Sequence, residues 1–351
     1  MGRFYVTICA DTEDNPPDYV PNWSVLGSNY NLNPAIIRFD WTKFWDTLIK
    51  IFRRNRVPIT WLLRVDDAPI KDLMLKRFET RIFDLKSEGD EIGIHIHTWE
   101  WDSKSHIWRQ TKDHNKEYEI VKRSIKHFRR SLGFPPLSSR MGWNAMSNEI
   151  MRALEEEGIL VDATCEPGYK CDGMYSGRDN IVDWSKAGED LYHPNRNDYQ
   201  LPGRMKLLEV PISSIPEEER MLFKGSPLDK LINSRLRTIM EPLLPFVSTL
   251  FESFHISAHN VFYISSVWST SIIKRIIDLY VDKAKANQDS FLVGFFHPSD
   301  ILEPKKGTVN KSFADKIEEI MRYITLQKQK VALNFTTLSE IAEIYNNKHA
   351  H

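Results

Sequence analysis

Cysteine is scarce in this chain, and its scarcity excludes two kinds of cross-linked architecture. The 351 residues include three cysteines, Cys9, Cys165 and Cys171, with no CxxC spacing among them. A disulfide framework needs paired cysteines, and a cysteine-built zinc site needs them in close pairs. We therefore expect neither, and we expect Cys9, which lies in a strand-like run, to be a core thiol.

The chain also lacks an excess of charge of either sign. Lys and Arg number 47 against 48 Asp and Glu, so the net charge is −1. Proteins that bind nucleic acid through its phosphates carry a basic face. The basic run at 122–130 lies at helical spacing among apolar residues, which is typical of a solvated helix face. We expect no nucleic-acid partner.

Uninterrupted apolar stretches of membrane-spanning length are missing too. The apolar run that opens the chain reaches acidic residues too soon for a signal peptide or a span. The most apolar long stretch, residues 243–268, is interrupted by Glu252, His255 and His259, and we interpret it as a buried or partner-contacting helix. These patterns predict no membrane span and a cytoplasmic location.

Strand-like and helical patterns alternate along most of the chain. Apolar, β-branched runs predict strands, and apolar residues at helical spacing predict helices between them. The predicted strands are 3–10, 58–66, 91–97, 138–140, 159–165, 206–214, 290–300 and 331–337, and the predicted helices are 40–56, 70–87, 114–133, 147–158, 270–287, 313–327 and 338–347. Such alternation predicts an α/β fold with a parallel sheet.

About seven strand–helix units favour a distorted (β/α) barrel. We predict one domain over residues 1–351, with a helical insertion at about 215–268. Residues 168–205 are rich in Gly, Asp, Asn and Pro, and predict a long loop region near the site. Barrel enzymes build their sites at the carboxyl ends of the strands, and polar residues follow several of these strands.

The stretch GDEIGIHIHTWEW, residues 89–101, places two histidines in a short apolar run. Side chains alternate faces along a strand, so His95 and His97 point one way while Ile94 and Ile96 point the other. Two neutral imidazoles on one face suit a shared metal ion. The alternative is a half-buried strand with two satisfied polar residues, and the histidines alone do not separate these interpretations.

Three carboxylates follow the first predicted strand in the sequence ADTED: Asp11, Glu13 and Asp14. Carboxylates this close repel one another unless a cation binds them or one stays protonated, although alone they would also fit a turn or a helix N-cap. One carboxylate with His95 and His97 would make a three-ligand site with open positions for water and substrate. Such a site suits Zn²⁺, and also Co²⁺, Ni²⁺ or Fe²⁺.

With these motifs in order, the sequence resembles the polysaccharide deacetylases of the NodB-homology type, which hydrolyse N- or O-acetyl groups on sugars. The resemblance implies that Asp11 is the catalytic base and that Glu13 or Asp14 is the carboxylate ligand. It also implies that His95, which follows the lead-in Glu-Ile-Gly at 91–93, is the first metal histidine.

The resemblance assigns two further roles and extends over nearly the whole chain outside the insertion. Arg140 in SRMGW would orient the base, and His297 in LVGFFHPSD would be the general acid. The closing NFTTLSEIAEIY is similar to the family's last strand and helix. The implied reaction needs one divalent metal ion, most simply zinc, and a carbohydrate substrate, in a branch similar to deacetylases of surface-glycan biosynthesis.

Three departures mark this sequence as a divergent branch. The family's second histidine lies four residues after the first, where this chain has Trp99. Here the second histidine, His97, lies two residues after His95. Met141 and Gly142 follow Arg140, where the family carries a proline. The adjacent aspartates of the commonest first motif are spread to Asp-Thr-Glu-Asp.

Three other residues are candidates for the substrate site. Trp99 and Trp143 stand beside the motifs, where they would stack on sugar rings or pack in the core. Asp162 ends a predicted strand, where it would orient His297 or the neighbouring loop.

Three other functions remain open on the sequence alone. The same barrel could hydrolyse a non-sugar amide, such as a ureide or an acylated polyamine, because loops decide the substrate. A catalytically silent member would bind glycan or partner proteins without turnover. A metal-free glycosidase would use Glu13 with another carboxylate, but it would have no use for two histidines on one face.

Overall fold

A parallel sheet forms the centre of the molecule. The computed structural model describes residues 2–12, 41–66, 71–102, 104, 107–175, 178–216, 261–265, 270–303 and 306–349. The strands of the sheet are β1 (Arg3–Thr12), β2 (Ile59–Arg64), β3 (Glu91–Ile96), β4 (Ser138–Met141), β5 (Val161–Asp162), β6 (Leu208–Glu209), β7 (Tyr263–Ile264), β8 (Ser290–Phe296) and β9 (Ala332–Phe335). They pair in the order β6–β5–β4–β3–β2–β1–β8–β7, and β9 pairs with the first half of β1.

Helices fill most of the connections between these parallel strands. They are α1 (Trp45–Asn55), α2 (Lys71–Ser87), α3 (His114–Leu132), α4 (Asn148–Glu156), α5 (Ser271–Lys285), α6 (Lys311–Leu326) and α7 (Leu338–His349). Asp113 caps α3 by accepting hydrogen bonds from the backbone N–H groups of Asn115 and Lys116, and Gly133 ends it with φ of 76°. The helices lie within two or three residues of their predicted bounds, apart from α1, which begins at Trp45.

The two faces of the sheet pack into two different cores. Along β1, Phe4, Val6 and Ile8 belong to the large cluster that the surrounding helices cover. Cys9, which follows Ile8 and alternates to the other face, belongs to a smaller cluster with side chains of other sheet strands, among them Phe295. Side chains on one face therefore meet the surrounding helices. Those on the other face meet each other, as in a barrel, together with Leu338, Ile341 and Ala342 of α7.

The sheet curls until its two edges meet beyond β6. The backbone N–H of Ser213 donates to Val293 O of β8 at 3.0 Å, and the N–H of Phe262, beside β7, donates to Ser213 O at 2.7 Å. The α/β architecture with a distorted (β/α) barrel is therefore confirmed, with nine strands in the described sheet.

The closing helix is tied to the barrel by buried polar groups. Glu91 Oε2, on β3, accepts a hydrogen bond from Ser339 N at the start of α7 at 2.9 Å, and Thr60 Oγ1 accepts one from Leu338 N. Burial raises the pKa of Glu91. A Cβ atom on neighbouring Gly93 would come within 2.3 Å of Ser138 Oγ, so the close packing of β3 against β4 requires the glycine of the Glu-Ile-Gly lead-in.

Small two-stranded hairpins lie outside the central sheet. They pair Trp99–Asp102 with Ile107–Gln110, Lys170–Tyr175 with Arg178–Asp183, Pro194–Asn195 with Asp198–Pro202, and Leu302–Glu303 with Thr308–Val309. The region predicted as a long loop at 168–205 thus holds two hairpins.

The predicted insertion at 215–268 falls mainly outside the described residues. At 261–265, where the structure describes it again, the chain forms β7 in the sheet rather than a helix. In the described part of the chain, no helix has the length and apolar character that crossing a membrane requires.

Candidate active site

Asp11 and His297 stand at the ends of two neighbouring strands. β1 and β8 pair in parallel with Ala10 opposite Phe296, so Asp11 and His297 follow at the same level. Both alternate onto the face of Cys9 and Phe295, which belong to the inner cluster. Asp11 is buried, whereas His297 is partly exposed. The residues proposed as base and acid therefore share one end of the barrel.

Arg140 holds the carboxylate of Asp11 in a buried ion pair. Its Nε lies 2.9 Å from Asp11 Oδ2, with the two side chains only 5% and 3% exposed. Nη1 donates to Ala163 O at 3.0 Å, and Nη2 donates to Asn144 Oδ1 at 3.1 Å. The guanidinium carbon also lies 3.7 Å from the ring centre of Phe295. Because all three guanidinium nitrogens are used, Arg140 presents Asp11 in one fixed orientation.

His95 and His97 turn the same ring nitrogen toward each other. His95 Nε2 lies 3.2 Å from His97 Nε2, within hydrogen-bond distance, and both side chains are buried. Two nitrogens on one tetrahedral zinc ion, each about 2.0–2.1 Å from it, stand about 3.3 Å apart. The pair therefore has the separation of two ligands on a shared cation. His95 also aligns with Arg140 across β3 and β4, which places this pair beside the Asp11–Arg140 ion pair.

The third ligand of a complete metal site is not present among the described side chains. The predicted carboxylate ligands, Glu13 and Asp14, lie outside the described residues, and no group of three His, Cys, Asp or Glu side chains within them has metal-site spacing. Asp11 Oδ1 is buried and has no hydrogen-bond partner among the described groups. The two converging imidazoles fit a divalent cation in their chemistry, and the carboxylate that would complete the ligand set is not among the described side chains.

Asp66 and Arg64 support His97 and were not predicted from the sequence. Asp66 Oδ2 accepts a hydrogen bond from Arg64 Nε at 2.7 Å and from the backbone N–H of His97 at 3.1 Å. Burial alone would raise the pKa of Asp66, but Arg64 and His97 outweigh it, and the pKa lies below its ordinary value. An ionised Asp66 therefore fixes the backbone that carries His97. Asp66 is the last residue of the predicted strand 58–66, and an acidic residue at a strand end is the kind of signal that singled out Asp11.

Two tryptophans and a glycine enclose the ring of His97. Trp99 lies with its ring centre 4.4 Å from that of His97, and Trp143 lies 5.0 Å from Trp99. A Cβ atom on Gly142 would come within 2.2 Å of His97 Cε1. Gly142, which follows Met141, therefore leaves the space that the imidazole of His97 occupies.

The turn that carries Trp143 is strained. Trp143 and Asn144 both have φ of 56°, in the left-handed region that side chains with a Cβ rarely adopt. Asn144 is held there because its Nδ2 donates to Glu166 Oε2 at 2.7 Å and its carbonyl accepts from Trp184 Nε1 at 2.9 Å. Strain of this kind is found at functional sites, where the surroundings enforce it.

The two tryptophans that were predicted to contact substrate differ in exposure. Trp99 is 6% exposed and packs on His97, with the guanidinium of Arg64 4.9 Å from its ring centre. Trp143 is partly exposed. Trp99 also reaches a groove of about 400 Å³, whose lining residues are Trp99, Glu100, Asn115, Lys116, Glu119, Ile120 and Arg123.

The structure does not bring Asp162 together with His297 or Asp11. Asp162 aligns with Ser139 and accepts a hydrogen bond from its hydroxyl. Ser139 and Arg140 are consecutive in β4 and point to opposite faces, so Asp162 lies on the face away from the site. There it meets Glu209, its partner in the register between β5 and β6. Tyr263 of β7 contacts His297 instead.

Comparison with known proteins gives a likeness in structure only. No protein-family model and no curated protein matches the sequence. A protein from Mycobacterium smegmatis described as a polysaccharide deacetylase matches with a TM-score of 0.53 and 14% identity, over 99% of this chain and 91% of that one. A protein of the same description from Pseudomonas aeruginosa PAO1 matches with a TM-score of 0.53 and 14% identity, over 99% and 92%.

The chain has a NodB-type barrel fold. The likeness spans nearly the full length of both neighbours, which confirms at the level of the fold the resemblance inferred from the motifs. At 14% identity, the likeness shows the fold, which places a site at the carboxyl ends of the strands. The chemistry of that site depends on the residues that occupy it.

Proposed function

We propose that this protein is a metal-dependent hydrolase that removes an acetyl group from an N-acetylated or O-acetylated sugar. The observation that carries the proposal is the buried Asp11–Arg140 ion pair beside the converging imidazoles of His95 and His97. These groups lie at the carboxyl end of the strands of a NodB-type barrel. A role in surface-glycan biosynthesis and a cytoplasmic location remain predictions from the sequence.

A divalent cation would be held by His95 and His97 together with a carboxylate, for which Glu13 and Asp14 are the candidates. Zinc is the first candidate because imidazole and carboxylate ligands suit it, and cobalt, nickel and iron(II) are alternatives. When bound, the cation would polarise the acyl carbonyl and stabilise the negative charge that develops on its oxygen.

The side chains of the barrel would perform the proton transfers. Asp11 takes a proton from water as the water oxygen bonds to the acyl carbon. Arg140 holds the Asp11 carboxylate aimed for this step, because its Nε lies 2.9 Å from Asp11 Oδ2. The bond from the acyl carbon to the sugar nitrogen or oxygen then breaks, and His297 gives a proton to the leaving atom. The products are acetate and the deacetylated sugar.

Acetate release tests this proposal. Wild-type protein supplied with Zn²⁺, Co²⁺ or Ni²⁺ is incubated with N-acetylated oligosaccharides and with O-acetylated sugars, and free acetate is measured. We expect release by the wild type and a loss of about 100-fold or more in Asp11→Asn, since general-base catalysis contributes that much. Asp198→Asn, which alters a surface ion pair with Lys186, is the matched control and should keep full activity.

The same reactions, assayed for reducing sugar as well as for acetate, separate the competing functions. A glycosidase would release reducing sugar instead of acetate. A silent glycan-binding protein would bind the oligosaccharides without releasing acetate from any of them, whichever metal is supplied, and that result would contradict the proposed hydrolysis.

A further inference from the structure

Tyr263, on the short strand β7, contacts the predicted general acid. Its hydroxyl oxygen lies 2.9 Å from His297 Nδ1, and its ring stands at 86° to the imidazole with centroids 5.4 Å apart. We propose that Tyr263 is a positioning residue that orients His297 for proton transfer to the leaving group. This role rests on the hydrolytic function proposed above.

The ring of Tyr263 is fixed before it meets His297. β7 pairs in parallel with β8, and Tyr263 stands opposite Phe295 in the register. The two rings stack with centroids 4.6 Å apart and an interplanar angle of 7°. The ring of Phe295 also receives the guanidinium of Arg140 at 3.7 Å. One phenylalanine therefore supports both Tyr263, the partner of the acid, and Arg140, the partner of the base.

A phenol suits this position because its hydroxyl can both donate and accept a hydrogen bond. When His297 is an imidazolium, its Nδ1–H donates to the Tyr263 oxygen. After Nε2 has given its proton to the leaving atom, the neutral imidazole keeps its proton on Nδ1, which still donates to the Tyr263 oxygen, and Nε2 regains a proton from solvent for the next cycle. In the other neutral tautomer, with the proton on Nε2, Tyr263 donates to Nδ1. The ring orientation is the same in all three forms.

The choice of tyrosine also affects how readily His297 releases its proton. A carboxylate beside Nδ1 can only accept a hydrogen bond, and its charge favours the imidazolium. A neutral hydroxyl holds the ring without that electrostatic preference for the charged form. Nε2 is then the nitrogen that transfers the proton, because Nδ1 is engaged by Tyr263.

The decisive variant is Tyr263→Phe, which keeps the stacked ring and removes only the hydroxyl. Two substrates separate the roles: an N-acetylated oligosaccharide, whose leaving amine needs a proton, and 4-nitrophenyl acetate, whose phenolate leaves without one. We expect kcat for the oligosaccharide to fall about ten-fold with KM unchanged, a part of the roughly 100-fold that loss of a general acid costs. The rate with 4-nitrophenyl acetate should not change.

Two controls frame this result. Tyr323→Phe removes another hydrogen-bonded phenol, which contacts Asp278 on α5, and should change neither rate. Asp11→Asn should lower both rates, because both substrates need the attacking water to be activated.

A second readout does not depend on turnover. In ¹⁵N-histidine-labelled protein, the His297 signals are assigned by their absence in His297→Gln. Tyr263→Phe should shift the Nδ1 signal of His297, and Tyr323→Phe should leave it in place. An unchanged Nδ1 signal would overturn the contact on which the proposal depends.

The kinetic outcomes distinguish failure of the positioning role from failure of the proposed function. If Asp11→Asn loses activity toward the oligosaccharide while Tyr263→Phe keeps it, or if Tyr263→Phe loses activity equally toward both substrates, the positioning role is wrong and the hydrolase remains. If the wild type hydrolyses neither substrate, the proposed function fails and the catalytic role of Tyr263 fails with it.

Discussion

At the scale of single residues, the candidate site depends on one buried ion pair and one missing Cβ atom. The ion pair is Asp11 with Arg140, and the missing Cβ belongs to Gly142, against which the ring of His97 packs. Neither residue is easily replaced, because Arg140 neutralises a buried charge and Gly142 leaves space that any other side chain would fill.

Replacing Arg140 by methionine should destabilise the protein and abolish activity. The substitution leaves the Asp11 carboxylate buried without its partner, a change that costs about 3–5 kcal/mol in the free energy of unfolding. Urea unfolding at neutral pH measures this. The double variant Asp11→Asn/Arg140→Met should recover part of the lost stability, because no charge is then stranded. A single variant as stable as the wild type would show that the pair is not buried as the structure has it.

Replacing Gly142 by alanine should weaken metal binding without unfolding the protein. The new methyl group would overlap the imidazole of His97, whose Cε1 lies 2.2 Å from the ideal Cβ position. Displacing a supporting contact of a metal ligand lowers affinity about 10- to 100-fold. Zinc titration of the metal-free protein by calorimetry measures this. Gly188→Ala is the control, since a Cβ there meets no atom within 4 Å, and equal affinities in the two variants would contradict the prediction.

At the scale of secondary-structure elements, β5 and β6 bring two carboxyl groups together away from the site. Asp162 and Glu209 are both fully buried. Glu209 Oε1 accepts a hydrogen bond from Cys165 N at 2.8 Å. Burial, and then the charge of Asp162, raise the pKa of Glu209 well above its ordinary range, and burial raises that of Asp162. The pair therefore holds a proton to a higher pH in the folded state than free carboxyl groups do.

This retained proton predicts the pH dependence of stability. A raised pKa means that the protonated group stabilises the fold fully below the ordinary glutamate value of about 4.3, and that this contribution is lost as the pH rises through the raised value. Glu209→Gln stays neutral and can still accept from Cys165 N–H. We expect the free energy of unfolding of the wild type to fall relative to Glu209→Gln as the pH rises above about 4.

Chemical denaturation at a series of pH values tests the carboxyl pair. Glu100→Gln, which alters an exposed pair with Lys116, should follow the wild-type curve. Parallel curves for the wild type and Glu209→Gln would mean that the pair carries no retained proton.

Elements with local signals are predictable from the sequence, and those without them are not. Helix α3 carries a cap at Asp113, apolar residues at helical spacing and Gly133 at its end, and its predicted and observed bounds agree within one residue. Strand β7 has no such signal. Tyr263 and Ile264 lie in an apolar stretch that was interpreted as helix, and only pairing with β8, later in the chain, makes them a strand.

At the scale of the whole molecule, the barrel gathers strand ends, and this made part of the site predictable. Asp11, His95 and Arg140 follow or end strands, and the structure brings them together as a parallel sheet requires. Contacts that depend on which strands are neighbours could not be predicted. The pairing of Asp162 with Glu209 and of Tyr263 with His297 depends on such choices. Asp66 lies at the end of a predicted strand, as Asp11 does, but no other candidate site residue stands beside it in the sequence.

Bound metal in the purified protein tests the central claim most directly. Wild type, His95→Ala, His97→Ala and His193→Ala are saturated with Zn²⁺, freed of excess ion and analysed by elemental mass spectrometry. His193 contacts Leu207 O and Asn346 outside the site, so its variant is the matched control. We expect about one ion per chain in the wild type and the control, and none in either site variant. Metal retained by His97→Ala, or none in the wild type, would contradict the shared-ligand geometry of His95 and His97.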